Sequence, residues 1–223
     1  MGSEELAELL GLIVHDLRNP AATLGANISF FKEVALADGA DEELREAVED
    51  LEAALAELRR GLDQVGWIGR WLGHLDVLPV ADGDAVTAIE KAAEQVPSLS
   101  VRVVADERPL RARGGGTLLR LVELLLMNSA AHGRGTEARL SARRDEAFIV
   151  VELRDGGPAV APELREAAFD PGGQTRLKGQ ASGRYSRSAG LLAARVLAEA
   201  MGASIHAGGE DGDAWFRVHL QAL

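Results

Sequence analysis

The chain of 223 residues contains no cysteine. Disulfide bridges, thiol nucleophiles and thiolate metal sites are therefore excluded. No apolar run approaches the roughly 18 residues that cross a bilayer, and the acidic N-terminal residues do not resemble a signal peptide. Hydrophobic residues still make up 47% of the chain, which is enough for one large core or two smaller ones. We therefore expect a soluble cytoplasmic chain without a membrane segment.

Basic residues are scarce in the first third of the chain. Residues 1–75 carry 15 acidic and 6 basic residues, so that −9 of the net charge of −11 lies there. A surface of this sign repels a phosphate backbone, which argues against nucleic acid as a partner. The same charge is typical of a solvated helical surface.

The apolar residues of this acidic region recur at helical spacing and predict two helices. The first runs from Ser3 to about Leu36, and the second follows Asp41 after a short turn. Gaps of three, four or seven residues place the apolar side chains of a helix on one stripe. The stripe of the first helix comprises Leu6, Leu10, Ile13, Leu17, Leu24, Ile28 and Phe31. The stripe of the second comprises Leu44, Val48, Leu51, Leu55, Leu58, Leu62, Val65, Ile68 and Leu72.

Two helices joined by a short turn form an antiparallel hairpin, which buries its apolar stripes poorly on its own. Two such hairpins side by side make a four-helix bundle, and we therefore predict a homodimer. The alternative is a hairpin that the rest of the same chain covers. A linker at about residues 73–80 divides the chain into a helical domain, residues 1–75, and a second domain, residues 76–223.

The second domain alternates helical and extended segments without regular strand–helix–strand spacing. This order predicts an α/β sandwich with a mixed sheet and helices on one face. The predicted helices follow the caps Asp84, Thr117 and Ser188, and end near Gln95, His132 and Met201. The predicted extended segments are Leu78–Val80, Ser100–Val104, Pro109–Ala112, Glu137–Ala142, Phe148–Leu153, Ala203–Ala207 and Trp215–Leu220.

A polar cluster lies within the first predicted helix. His15 is followed by Asp16, and Asn19 and Pro20 come one turn later. At about 3.6 residues per turn, His15 points roughly 200° away from Ile13 and therefore towards solvent. The pattern presents an imidazole beside a carboxylate that can orient it. A surface histidine without further function is the alternative from these residues alone.

Two features of the second domain suit a nucleotide. Asn128 lies on the helix that begins near Thr117, with His132 one turn further on, and an amide oxygen can coordinate Mg²⁺, which takes few protein ligands. Asp155 directly follows a predicted strand and can accept a hydrogen bond from an adenine amino group. The next residues, up to Gly157, let a ligand approach the backbone closely. Taken singly, a buried amide and an ordinary turn explain these residues equally well.

Two further features suit phosphate groups. Residues 172–187 are rich in glycine and serine and contain four basic residues, Arg176 and Lys178 among them, but no acidic one. Such a basic loop could close over a triphosphate. Gly190 and Leu191 begin a helix, where free backbone N–H groups form an anion site. A disordered loop and a simple helix cap are the alternatives.

Phe169, Asp170 and Pro171 directly precede the basic loop. In their order along the chain, these motifs resemble the H, N, G1, F and G2 boxes of two-component sensor histidine kinases. The resemblance implies a dimerisation and phosphotransfer hairpin followed by a GHKL-type ATP-binding domain. It implies that His15 accepts a phosphoryl group, that Asp16 assists it, and that Asn19 positions water when a phosphorylated partner is dephosphorylated. The implied partner is the receiver domain of a response regulator.

The same resemblance assigns the second domain to ATP and Mg²⁺. It implies that Asn128 binds Mg²⁺, that Asp155 binds adenine with Gly157 beside it, and that Gly190 is the last glycine of the G2 box. His132, Leu191, Arg176 and Lys178 complete the implied nucleotide site.

The chain departs from the family pattern at several positions. Leu124 stands where the N box usually has a second asparagine, and Ala131 where it has a lysine. Ala159 replaces a G1 glycine, and Ser186 or Ser188 replaces glycines of the G2 box. The magnesium and phosphate motifs are therefore eroded, whereas the adenine aspartate and the histidine are kept.

Three functions follow from this reading. The first is an ATP-dependent histidine kinase that phosphorylates His15 and passes the phosphoryl group to an aspartate of a receiver domain. The second is a histidine phosphotransferase that has the kinase fold but does not bind ATP, which the eroded motifs favour. The third is a pseudokinase that sequesters a regulator. The kinase is favoured by the retained Asp155 and Asn128 and by the basic loop, because a relay protein needs none of these features.

Overall fold

The structure is a computed structural model that describes residues 3–37, 42–132, 137–170, 189–210 and 212–223. The chain divides into two compact units, Met1–Leu75 and Asp76–Leu223. Within the described ranges, no helix combines the length and the apolar character that a membrane span requires.

The first unit consists of two long helices, α1 (Ser3–Ala37) and α2 (Glu42–Leu72). They are antiparallel, because Arg18 pairs with Asp63 at 2.8 Å and Lys32 pairs with Glu52 at 2.8 Å. The N-terminal end of α1 lies against the C-terminal end of α2, where Gly69 and Gly73 allow close approach. The predicted helical hairpin is therefore confirmed.

The hairpin core is a stripe of residues spaced by seven on each helix. It comprises Val14, Ala21, Ile28, Val48, Leu55 and Leu62, each at most 8% exposed. Of the predicted α1 stripe, Ile28 is buried in this core, whereas Leu17, Leu24 and Phe31 are exposed. The heptad pattern of α1 has two adjacent apolar stripes, and the one with the small Ala21 packs against α2.

A second apolar stripe on the hairpin remains exposed. Its members are 44–54% exposed and are also spaced by seven on each helix: Leu17, Leu24 and Phe31 on α1, and Leu44, Leu51 and Leu58 on α2. We call this set the outer stripe. Apolar side chains exposed in regular rows are a feature often found at interaction surfaces.

The second unit is an α/β sandwich with a mixed five-stranded sheet in the order β2-β4-β5-β7-β6. Strands β2 and β4 are parallel, and the other neighbours are antiparallel. These strands are β2 (Ser100–Ala105), β4 (Glu137–Asp145), β5 (Phe148–Asp155), β6 (Ser204–Glu210) and β7 (Asp213–Gln221). The predicted sandwich with a mixed sheet is confirmed.

Three helices pack on one face of this sheet: α3 (Ala85–Glu94), α4 (Leu118–His132) and α5 (Gly190–Ala200). The side chains of β4 alternate between the two faces of the sheet: Leu140 is buried, whereas Arg139 and Arg143 are exposed. The core includes Ile89, Leu121, Leu126, Leu140, Ile149, Leu153, Leu197 and Phe216, all below 2% exposure.

Shorter elements connect these parts. Two-residue strands β1 (Gly83–Asp84) and β3 (Arg111–Ala112) pair with each other, and 3-10 turns span Pro162–Leu164 and Ala167–Phe169. The prediction of a strand at Leu78–Val80 was wrong. The strand that pairs with β3 begins later, at Gly83. Asp84 caps α3 as predicted, accepting the N–H groups of Val86 and Thr87.

Candidate functional site

His15 lies on the solvent-facing side of α1. Its side chain is 76% exposed, and its Nδ1 lies 3.3 Å from Oδ1 of Asp16. When Nδ1 carries the hydrogen and donates it to this carboxylate, the lone pair of Nε2 faces solvent. The arrangement therefore suits an imidazole that reacts at Nε2 with an external electrophile.

The next turn of α1 is tied to α2. Arg18 reaches Asp63 on α2, and the hydroxyl of Thr23 donates to the carbonyl oxygen of Asn19 at 3.2 Å. Asn19 itself is exposed. It is four positions after His15, so that the two side chains project from neighbouring turns of the same helical surface.

Asp155 is a buried carboxylate at the end of β5. It is only 7% exposed, and its Oδ1 accepts the backbone N–H of Gly157 at 2.8 Å. Its Oδ2 accepts the hydroxyl hydrogen of Ser129, a residue of α4 that is 0% exposed. Both oxygens of Asp155 therefore have donors, which orients the carboxylate.

Ser129 is the residue of this group that the sequence reasoning missed. A serine in a helix carries no signal of its own, and its position directly after Asn128 was the available clue. Through Ser129, the C-terminal half of α4 is joined to the loop that follows β5. The structure thus brings Asn128, Asp155 and Gly157 into one region.

The amide nitrogen of Asn128 is buried and, within the part of the chain that the structure describes, has no hydrogen-bond partner. A buried donor of this kind usually has a partner, because leaving it unpaired costs about 1–3 kcal/mol. The side chain of Asn128 is therefore suited to a bound polar ligand. His132 ends α4, and its side chain lies outside the described residues, so its predicted role stays a prediction.

The loop after Asp155 is anchored to the turn between β6 and β7. The N–H of Gly212 donates to the carbonyl oxygen of Gly157 at 3.1 Å, and Gly212 has a φ of 89°, which favours glycine. Arg165 adds a second anchor, since it donates to the carbonyl oxygens of Val160 and Gly209. This region is therefore held by one backbone hydrogen bond and by the side chain of Arg165.

Gly190 and Leu191 begin α5, which packs against α4. The cap residue is Ala189, which makes no side-chain hydrogen bond to the first turn. Ser188, the predicted cap, and the basic residues Arg176 and Lys178 lie outside the described residues. Arg195 of α5 pairs with Asp170, a contact that the sequence reasoning did not foresee.

Comparison with known proteins identifies the second unit. A model of the histidine kinase-, DNA gyrase B- and HSP90-like ATPases matches residues 115–223. Residues 115–223 are therefore similar to this ATPase family. This domain family implies ATP as the ligand. The match contains the region of Asn128, Asp155 and Gly157 described above.

Most of the chain is similar in sequence to sensor kinases. It is 29% identical over 204 residues to the sensor protein kinase CarS of Pseudomonas aeruginosa, covering 86% of this chain and 41% of CarS. The chain thus spans about two fifths of the length of this relative. The predicted resemblance to two-component sensor histidine kinases is confirmed.

Two solved structures share the fold over almost the whole chain. Full-length ShkA in complex with AMPPNP has a TM-score of 0.66 at 18% identity, with 97% of this chain and 46% of that chain covered. The histidine kinase ThkA in complex with the response regulator TrrA has a TM-score of 0.59 at 18% identity, with coverages of 97% and 61%. At these identities the likeness concerns the fold.

Proposed function

We propose that this chain is the core of an ATP-dependent protein-histidine kinase. It would bind ATP in the second unit and transfer the γ-phosphoryl group to His15. The observation that carries the proposal is the buried carboxylate of Asp155, which Ser129 and Gly157 orient at the end of a strand within a histidine kinase-like ATPase domain. An oriented carboxylate accepts hydrogen bonds only, and the 6-amino group of adenine is a matching donor.

The transfer is a substitution at phosphorus. Nε2 of His15 would form a bond to the γ-phosphorus, while the bond to the oxygen that bridges the β- and γ-phosphates breaks and ADP leaves with that electron pair. Asp16 would support the attack by accepting the hydrogen of Nδ1, because positive charge develops on the imidazole ring. Positioning and charge neutralisation supply most of the catalysis in such reactions.

Asn128 is the proposed protein ligand of Mg²⁺. Its amide oxygen is the type of ligand that Mg²⁺ accepts, and the unpartnered amide nitrogen shows that the side chain has no competing hydrogen bond through that atom in the described structure. Bound Mg²⁺ would neutralise charge on the phosphate oxygens. Gly190 and Leu191 would hold phosphate oxygens with the backbone N–H groups of the first turn of α5.

The receiver domain of a response regulator is the proposed phosphoryl acceptor from His15. The exposure of the imidazole supports this role, since an aspartate of a second protein must reach the phosphorylated ring. ThkA, which shares the fold, forms a complex with a response regulator. Asn19, one turn from His15, would position water in the reverse dephosphorylation step.

The outer stripe supports a homodimer. Its six apolar side chains are about half-exposed on the hairpin, and burial of such a stripe is favourable by roughly 25 cal/mol for each Å² removed from water. A second hairpin carries the same stripe, so two copies related by a two-fold axis would cover each other. We therefore propose a four-helix bundle of two chains.

A histidine phosphotransferase that does not bind ATP is the second candidate. Leu124, which stands at the position of the missing N-box asparagine, is a core residue at 8% exposure. An apolar side chain at this point supplies no ligand to a metal or a phosphate. The loss of that polar group is the observation that favours a relay.

Calorimetric titration of Mg·ATP into the full chain distinguishes the two candidates. The kinase requires binding at micromolar to submillimolar concentration, and Asp155→Asn should abolish it because the variant replaces an acceptor oxygen by a donor. Asp106→Asn, at an exposed position, is the matched control and should bind as the wild type does. Absence of binding at millimolar ATP would reject the kinase in favour of the relay.

A further inference from the structure

Ser129 and Asp155 form a buried polar pair between α4 and the end of β5. Ser129 is 0% exposed and Asp155 is 7% exposed. The four residues Leu121, Val122, Leu125 and Leu126 on the same helix are at most 2% exposed. A hydroxyl within such an apolar helix costs free energy unless it is hydrogen-bonded, and here the partner is a charged group.

The direction of this hydrogen bond sets the chemistry of the pair. A serine hydroxyl has one hydrogen, and Ser129 donates it to Oδ2 of Asp155. The backbone N–H of Gly157 donates to the other oxygen, Oδ1. The hydroxyl oxygen and both carboxylate oxygens can then act towards a ligand only as acceptors. A base with an exocyclic amino group satisfies such a surface, whereas a carbonyl oxygen in the same place would meet like partial charge.

We propose that Ser129 is a positioning and specificity-determining residue of the nucleotide site, acting through Asp155 to select a 6-amino purine. This inference rests on the proposed function, since it requires that Asp155 receives the base. Ser129 fixes the plane of the carboxylate from the α4 side, and Gly157 fixes it from the loop side. The loss of one donor lets the carboxylate turn and weakens its bond to the amino group.

Ser129 also couples recognition of the base to the position of Asn128. The two residues are adjacent on α4, and Asn128 carries the buried amide nitrogen without a partner in the described structure. A shift of α4 relative to β5 would therefore alter the Ser129–Asp155 hydrogen bond and displace the side chain of Asn128 at the same time. The hydroxyl of Ser129 is the link that keeps this part of α4 in register with Asp155.

The test is a binding cycle with two ligands and the full chain. The ligands are ADP, which cannot donate a phosphoryl group to His15 as ATP does, and purine riboside diphosphate, which has hydrogen in place of the 6-amino group. Both are titrated by calorimetry into the wild type, Ser129→Ala and Ser129→Cys. Thr117→Ala is the matched control, because Thr117 carries a buried hydroxyl at 8% exposure but directly precedes the opposite end of α4, about 18 Å from Ser129 at 1.5 Å per residue.

The wild type should prefer ADP over purine riboside diphosphate. Ser129→Ala should weaken ADP binding by about tenfold, as expected for a hydrogen bond that involves a charged group, and should leave binding of the analogue nearly unchanged. The preference for the amino group therefore falls by about the same factor. Ser129→Cys, a weak donor of similar size, should lie between the wild type and alanine, and Thr117→Ala should keep the preference of the wild type.

A purely structural role of Ser129 would give a different result. Both ligands would then weaken by the same factor in Ser129→Ala, and the preference would be unchanged, which would overturn the inference. If the alanine variant does not fold, the preference of Ser129→Cys for ADP over the analogue is compared with that of the wild type instead. If the wild type binds neither ligand, the proposed function itself fails. If ADP binds and Asp155→Asn abolishes binding, the proposed function stands and the preference alone decides the role of Ser129.

Discussion

At the scale of the residue, two aspartates of the second unit show how hydrogen-bond donors define a carboxylate. Asp84 accepts four hydrogen bonds, from the N–H groups of Val86, Thr87 and Leu110 and from the hydroxyl of Thr87. Asp155 accepts bonds from Ser129 and Gly157. We assign Asp84 a structural role, because its donors all lie at the start of α3 or, in the case of Leu110, directly before β3.

Asp84 should make the stability of the second unit depend on pH. Burial by itself raises the pKa of Asp84, but the hydrogen bonds outweigh this and the pKa is lowered overall. A lowered pKa in the folded state means that the stabilisation is fully present above the unfolded value of about 3.9 and is lost as the pH falls through the folded value. Asp84→Ala should cost about 1–2 kcal/mol at pH 7.

Urea denaturation of the wild type and of Asp84→Ala between pH 7 and pH 3 measures this effect. The difference in the free energy of unfolding should shrink below about pH 4, because the unfolded wild type takes up a proton at this carboxyl group before the folded protein does. Asp106→Ala, which changes an exposed aspartate, should leave the stability unchanged within about 0.5 kcal/mol. A loss in Asp84→Ala that is equally large at pH 7 and pH 3 would contradict the role of the charged carboxylate.

The sequence predicts most residues of the candidate site but not their connections. His15 and Asp155 are visible because each lies in a motif of unusual composition, next to Asp16 or to two glycines. Ser129 is invisible because its contact with Asp155 joins residues 26 positions apart, and serine occurs at many helical positions. The ion pair of Arg195 with Asp170 was hidden for the same reason, since it depends on how α5 packs.

At the scale of the element, the hairpin carries two apolar stripes with different tasks. One stripe, with Val48, Leu55 and Leu62 on α2, is buried between the two helices. The outer stripe is about half-exposed. The sequence predicted both helices, because heptad spacing is a strong signal. It could not say which stripe of α1 faces α2, since that choice depends on the close approach at Ala21 and on the partner helix.

Substitutions on the two stripes should therefore separate dimerisation from folding. Leu51 is 50% exposed and Leu55 is 8% exposed, although both are leucines of the same helix. Leu51→Glu should convert a dimer into a monomer with little loss of helix content, because the charge falls on the proposed interface. Leu55→Ala should instead destabilise the hairpin by about 2–5 kcal/mol, as loss of a core leucine does.

Sedimentation equilibrium and far-UV circular dichroism of each variant check this prediction. Glu46→Lys, at an exposed position of α2 that lies roughly 140° around the helix from Leu51, is the control and should remain dimeric. A wild-type chain that sediments as a monomer at high micromolar concentration would contradict the four-helix bundle. So would a Leu51→Glu variant that stays dimeric.

At the scale of the whole molecule, the chain consists of two compact units. The candidate phosphoacceptor lies in Met1–Leu75 and the candidate nucleotide site in Asp76–Leu223. The core of the second unit includes buried residues from Ala85 to Leu220. Each unit therefore contains one half of the proposed reaction.

The separated units should divide the activities between them. Residues 76–223 alone should bind ADP with the affinity of the full chain within about twofold, because Asp155, Ser129 and Gly157 all lie within it. Residues 1–75 alone should not bind ADP but should become phosphorylated on His15 when the second unit and ATP are added. Nucleotide binding by residues 1–75, or its loss from residues 76–223, would contradict the assignment.

Transfer of phosphate from ATP to His15 is the most direct test of the central claim. The full chain is incubated with Mg·ATP labelled in the γ-phosphate, and protein-bound label that is stable in alkali and labile in acid is counted. The wild type and the control His206→Gln, at an exposed position of β6, should be labelled, whereas His15→Gln should not. Label that persists in His15→Gln would contradict the assignment of the phosphoacceptor. An unlabelled wild type that still binds ATP would contradict the kinase itself.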